Sequence, residues 1–147
     1  VTTPRMTLQL KGEIPSLRVH AALIEQGLFN VIDNALKAAG NHTEIQVAAG
    51  VCNDMLQVRV SDQGPGLPQS EWLAVFDPFY TFSLGDCYEK GTGLGLSICR
   101  SIFRVHGGDA GITAAPVGFN HCVLLTLPLL PESDNEEGED NDQDTSH

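Results

Sequence analysis

No stretch of this chain stays apolar for anything close to the ~18 residues that a membrane span needs, and no secretory leader is recognisable. The four cysteines, Cys52, Cys87, Cys99 and Cys122, form no CxxC pair, which argues against a zinc site. They read as reduced thiols of a cytoplasmic domain; Cys87, in a polar, glycine-containing stretch, is expected to be exposed, as a spectator thiol before a redox-active one. Positive charge is scarce: 8 Lys and Arg stand against 19 Asp and Glu, a net charge of −11. The basic footprint that nucleic-acid binding requires is therefore missing. The acidic excess is local. The last 17 residues, numbers 131–147, hold eight Asp or Glu and no Lys or Arg; without them 11 acids face 8 bases, a net of −3. That tail is too polar to bury anything and is expected to be disordered. There is no internal repeat. What remains is one domain's worth of chain, 41% apolar and able to build a core. Beginning at Val1 rather than Met, the sequence is expected to be a fragment of a longer chain.

Periodicity gives the elements. Met6–Leu10 alternates apolar and polar and predicts a short strand, and Ser16–His20 a second. From Ala21 to Ala39 the period becomes helical, with Leu28, Phe29, Ile32, Ala35, Leu36 and Ala39 as one apolar stripe and Gly40 as the stop. Glu44–Ala48 and Met55–Ser61 alternate around a hairpin turn within Gly50–Asp54. Gly64-Pro65-Gly66 is a turn, and Ser70–Phe76 a short helix capped by Ser70. The stretch 77–92 lacks periodicity and is long for a connector, as lids and binding loops are. A helix over Leu94–His106, with Leu94, Ile98, Ile102 and Val105 on one side, ends at Gly107-Gly108. Strands Asp109–Ala114 and Cys122–Leu127 follow. The pattern predicts a two-layer α/β sandwich: one mixed, mostly antiparallel sheet covered on one face by two long helices.

Three constellations carry chemistry. Gly91, Gly93 and Gly95 crowd the mouth of a helix, where each glycine costs about 1 kcal/mol relative to alanine. No Gly-Lys-Ser/Thr follows, so this is not a P-loop, and GxGxG after a long loop is not the dinucleotide fingerprint. Glycines that let the backbone close on a ligand, beside the free N–H groups of a helix start, suit phosphate. A loop that merely turns tightly fits equally well on this stretch alone. The first helix supplies a second sign. Its polar face reads Gln26, Asn30, Asp33, Asn34 and Lys37, and two asparagines one turn apart are poor helix formers. An amide oxygen suits Mg2+, which keeps several waters and bridges to phosphates, and Lys37 could meet phosphate charge. Third, Asp62 ends a strand before Gly-Pro-Gly. It either caps that turn or accepts a hydrogen bond from an exocyclic amine such as adenine's, worth about 1.5–3 kcal/mol.

At this point the chain resembles a family. NVIDNALKA (30–38) resembles its N box, DQGPG (62–66) its first glycine box, FDPFY (76–80) its F box and GTGLGLSI (91–98) its second glycine box. The family is the catalytic ATP-binding domain of bacterial sensor histidine kinases, in the group with gyrase, the ninety-kilodalton heat-shock chaperone and MutL, and the likeness runs over about residues 6–128. It implies the Bergerat ATP-binding fold over residues 1–130, followed by the acidic tail. Asn34 would hold Mg2+ on the ATP phosphates, with Asn30 and Lys37 beside them. Asp62 would take the adenine amine, and Gly64, Gly66 and Leu67 would line the base pocket. Phe76 and Phe79 would anchor the first hinge of an ATP lid, and Gly91, Thr92, Gly93, Leu94, Gly95 and Leu96 would wrap the phosphates. The resemblance further implies transfer of the γ-phosphoryl to a histidine on separate dimerisation helices, and then to a response-regulator receiver domain. The parent would be an inner-membrane-anchored homodimer, this domain its monomeric cytoplasmic part.

Position 30 separates branches of the group. Hydrolysing relatives place a glutamate there as general base, and an amide such as Asn30 cannot accept a proton from water. The alternatives are such an ATP-hydrolysing relative and a degenerate interaction module of the same fold. None of His20, His42, His106, His121 and His147 has a phosphoacceptor context, so the domain alone should not autophosphorylate. His20 is expected to be structural. GFNHC (118–122) lacks a threonine that the family often has, which would remove one contact to the base-binding Asp62. Lys90 is the only base in the lid 81–90.

Overall fold

The computed structural model describes residues 5–39, 44–78 and 95–129. In order these form β1 (Arg5–Lys11), α1 (Ala21–Ala39), β2 (Glu44–Cys52), β3 (Met55–Asp62), single 3-10 turns at Gln69–Glu71 and Ala74–Phe76, α2 (Gly95–Val105), β4 (Asp109–Thr113) and β5 (His121–Pro128). The five strands make one mixed sheet in the order β1-β2-β3-β5-β4. Only β1 and β2 run parallel among these pairs; β2–β3, β3–β5 and β4–β5 are antiparallel. Both helices cover one face, giving the expected sandwich.

Strand alternation sorts that sheet. Cross-strand partners share a face, so the rows Leu56–Leu127, Val58–Leu125 and Val60–Val123 all face the helices. Most of these residues are deeply buried, and they join Val31 and Ala35 of α1 with Leu96, Cys99, Ile102 and Phe103 of α2 in one core. The same period of two carries one step further along β3 and delivers Asp62 onto the core face, opposite His121 of β5.

Both helices match the expected apolar arc only in part: Leu28, Ile32, Ala35 and Ala39 of α1 and Ile102 of α2 do join or flank the core. In α1 the buried residues are Gly27, Val31, Ala35, Ala38 and Ala39, whereas Phe29 and Leu36 are exposed. The packed face is made of small residues because α2 lies close: a Cβ on Gly27 would sit 3.1 Å from Cε1 of Phe103. In α2 the core side chains are Leu96, Cys99, Ile102 and Phe103, and Ile98 and Val105 point to solvent. The helix closes with paired bonds, Gly107 N–H to the Arg104 carbonyl and Gly108 N–H to that of Phe103, with Gly107 at φ 88°. That is the Schellman arrangement expected of a glycine end.

The expected strand at Ser16–His20 does not form; residues 13–20 are irregular, and Ile14, Leu17 and Val19 anchor the connection against the core. His20 is indeed structural. Its Nδ1 accepts the Leu23 N–H at the start of α1, and its own N–H donates to Nε2 of His106. Nδ1 of His106 is then the donor to the Ile102 carbonyl. The β2–β3 hairpin turns on Asn53 and Asp54, both at positive φ, so β2 runs on through Gly50 to Cys52. This two-residue turn matches the right-handed strand twist. The expected helix at 70–76 is two separate turns, and Pro68 precedes the first without a side-chain cap.

One strand keeps neither layer. Every residue of β1 is exposed, and Met6, Leu8 and Leu10 pair with Ile45, Val47 and Ala49 on the helix-bearing side without a described residue to cover them.

Candidate functional site

A shallow recess opens where the helical layer meets the ends of β3 and β5; Asn34, Ala38, Asp62, Pro65, Gly66 and His121 line it. Its walls follow from the local sequence. β3 ends in Asp62, and the next residues must turn under α1. A Cβ on Gly64 would lie 2.5 Å from the Ala38 carbonyl oxygen, so only glycine passes there. Gly66, at φ 77°, lies so near Asn120 that a Cβ would be 2.8 Å from its carbonyl oxygen. Asn120 fastens the two segments: its N–H donates to the Asp62 carbonyl, and its Nδ2 to those of Gln63 and Gly64. Gln63 answers with Nε2 to the Gly118 carbonyl at 3.0 Å and Oε1 accepting the Glu44 N–H at 2.9 Å.

Asp62 is 1% exposed. Its Oδ1 accepts the Gly64 N–H at 2.9 Å, and Oδ2 is buried with no partner. Burial pushes the carboxyl from 3.8 up to about 6, and the Gly64 hydrogen bond opposes this only in part. A buried carboxylate oxygen without a donor is expensive to keep. Across the strand His121 is buried too, and burial holds its imidazole below the usual value of 6.5.

Of the residues expected from sequence, the structure gathers Asn34, Asp62 and Gly66 on the recess, with Gly64 behind it. Leu67 packs against the core beside them, and Leu96 is a core residue. Asn30 accepts a hydrogen bond from Gln26 Nε2 at 2.9 Å, and its Cβ lies 3.9 Å from where a Cβ on Gly95 would be, so the polar face of α1 meets the start of α2. Lys37 pairs with Asp33 at 3.1 Å on the outer side of α1. Phe79, Gly91, Thr92, Gly93 and Leu94 lie outside the described residues. Phe76 is buried, with the Arg100 guanidinium 5.0 Å from its ring centre. Arg100 and Arg104 both hold Asp109 Oδ1, at 3.3 and 3.0 Å, which ties α2 to β4. These arginines hold the Asp109 carboxyl below the ordinary range against the opposing pull of desolvation. Sequence reasoning passed over Ala38, Pro65, Asn120 and His121 as parts of the site. His121 carried a signal: it extends the alternation of Val123, Leu125 and Leu127 by one step.

Residues 20–131 match the family model described as "Histidine kinase-, DNA gyrase B-, and HSP90-like ATPase". The chain belongs to this family. Within it, the relatives are sensor kinases. The chain is 37% identical over 132 residues to the sensor protein KdpD of Escherichia coli K12, covering 90% of this chain and 14% of KdpD. It is 36% identical to the signal transduction histidine-protein kinase AfsQ2 of Streptomyces coelicolor, over 86% of this chain and 24% of that one. It thus spans a small part of the curated relatives it matches. Among solved structures, the catalytic domain of histidine kinase ThkA superposes with a TM-score of 0.72 at 29% identity, covering 86% of this chain and 81% of that one. ThkA in complex with the response regulator TrrA superposes with a TM-score of 0.70 at 26% identity, covering 86% of this chain and 34% of that one. This ATPase-family domain therefore has the histidine-kinase form of the fold, and no described helix is long and apolar enough to cross a membrane.

Proposed function

We propose that the domain binds ATP with Mg2+ and presents the γ-phosphoryl group for transfer to a histidine on separate dimerisation helices of a longer sensor kinase. The carrying observation is Asp62. Its Oδ2 is buried, unpartnered and in the wall of a recess, a state that a donor from outside the chain would relieve. An exocyclic amine of adenine is such a donor, and Pro65 and Gly66, which line the same recess, would flank its ring. Asn34, on the same recess, is the candidate metal ligand. Among the described residues no group of three His, Cys, Asp or Glu could hold a metal, which suits an ion that takes its other ligands from water and phosphates. Magnesium, when bound, neutralises phosphate charge.

The chain's own part is orientation. Asp62 holds the base end, and the N-terminal end of α2, with Gly95, faces Asn30 of α1 for the phosphate end. Lys37 and residues 91–94 would add to that end, with Phe79 at the lid hinge. Asn30 leaves attacking water without a base, which reserves the phosphoryl for a protein acceptor. A response-regulator receiver domain would be the next acceptor, in keeping with the ThkA complex with the response regulator TrrA, and the parent would be a membrane-anchored homodimer with this domain on its cytoplasmic side. Calorimetric titration of the chain with Mg-ATP tests the reading. Saturable binding at one site, abolished in Asp62→Asn, is expected, and no heat at millimolar nucleotide would overturn it. Steady ATP turnover by the chain alone would replace transfer with hydrolysis.

A further inference from the structure

The recess has two polar side chains at its strand end, and the proposed function uses one of them. We propose that His121 is a second base-reading residue, whose imidazole donates to the ring nitrogen beside the amine that Asp62 takes. This rests on the nucleotide reading of the same recess. Three observations carry it. His121 is the direct cross-strand partner of Asp62, so both side chains leave the same face of adjacent strands. Both line the recess. And His121 is only 7% exposed, while none of the hydrogen bonds among the described residues goes to its ring.

No hydrogen bond joins the ring to Asp62, and burial disfavours a second proton on it, so the imidazole stays neutral, in line with the direction of its shift. It then offers one N–H donor and one lone pair. Asp62, ionised, offers only acceptors. Side by side they present acceptor and then donor. The pairing edge of adenine presents the complement, an amine donor followed by a ring-nitrogen acceptor. The rivets around the site set this pair in place. Asn120, the residue before His121, bonds the carbonyls of Asp62, Gln63 and Gly64, so the imidazole and the carboxylate cannot drift apart without breaking three hydrogen bonds.

The test changes the ligand as well as the protein. Mg-ATP and Mg-1-deaza-ATP, which lacks that ring nitrogen, are titrated calorimetrically into the chain, into His121→Phe and into His121→Ala. The unaltered chain should bind the deaza nucleotide roughly tenfold more weakly, the scale of one hydrogen bond. His121→Phe, which fills the space without a donor, should bind ATP weakly by the same factor and no longer distinguish the two. Equal affinity of the unaltered chain for both nucleotides would overturn the proposal, as would discrimination that persists in a folded His121 variant. Should the variants not fold, ¹⁵N spectra of the unaltered chain decide: the His121 ring nitrogens should shift with Mg-ATP and not with the deaza analogue. Equal shifts, or none, would overturn it. If the chain binds neither nucleotide, the nucleotide reading itself falls, a result distinct from equal binding of both.

Discussion

At Asp62 the proposed function and stability pull apart. Between 3.8 and about 6 the folded, empty domain holds a proton on this carboxyl that the unfolded chain has already released. The folded state binds the more protons, so this group makes stability fall as pH rises across that window, and the loss persists above it. Asp62→Asn removes the charge. Urea unfolding at pH 7 should show the empty variant more stable by about 1–2 kcal/mol, less than the full shift because the new amide is also unpaired. The same variant should lose nucleotide binding; an unchanged unfolding midpoint would mean that the carboxylate is not strained. Asn34 is the second residue to test. Asn34→Ala should leave a weakened ATP affinity that no longer responds to Mg2+, read by titration with and without EDTA. A response that survives would assign the metal to other ligands.

At the scale of elements, type was legible from the sequence and phase was not. α1 occupies the expected span, Ala21–Ala39, because a single helical period runs its whole length. Its stripe was right at Leu28, Ile32, Ala35 and Ala39 and wrong at Phe29 and Leu36, large apolar side chains that stay exposed. Apart from Val31, the buried residues of α1 are glycine and alanine, whose hydrophobic signal is faint. α2 shows the same error: Cys99 and Phe103, not Ile98 and Val105, face the core. The false strand at 16–20 has a related cause. A loop pinned by Ile14, Leu17 and Val19 alternates as a strand does. Close helix packing makes a prediction of its own. Gly27→Ala would gain helix propensity worth about 1 kcal/mol, yet its methyl would press on Phe103, which is buried and cannot swing aside. A net loss of about 1 kcal/mol is expected in thermal unfolding, since overpacking outweighs propensity; a stabilised variant would show that the two helices have slack.

For the whole molecule, the four boxes made the family readable, and three residues named from them, Asn34, Asp62 and Gly66, line one recess. What escaped is what only pairing reveals. Asp62 and His121 are 59 positions apart in sequence and become neighbours through the β3–β5 register. If the domain is one half of a transfer reaction, radiolabelled Mg-ATP should label added dimerisation helices of the parent and never the domain by itself; label on the isolated domain would contradict that. The bare strand has its own consequence. Among the described residues nothing covers Met6, Leu8 and Leu10 of β1, an apolar row on a sheet edge, the kind of margin along which chains zip together. The chain should behave well when dilute and grow heavier in the ultracentrifuge as it is concentrated. Leu8→Lys should keep it at the mass of a single chain.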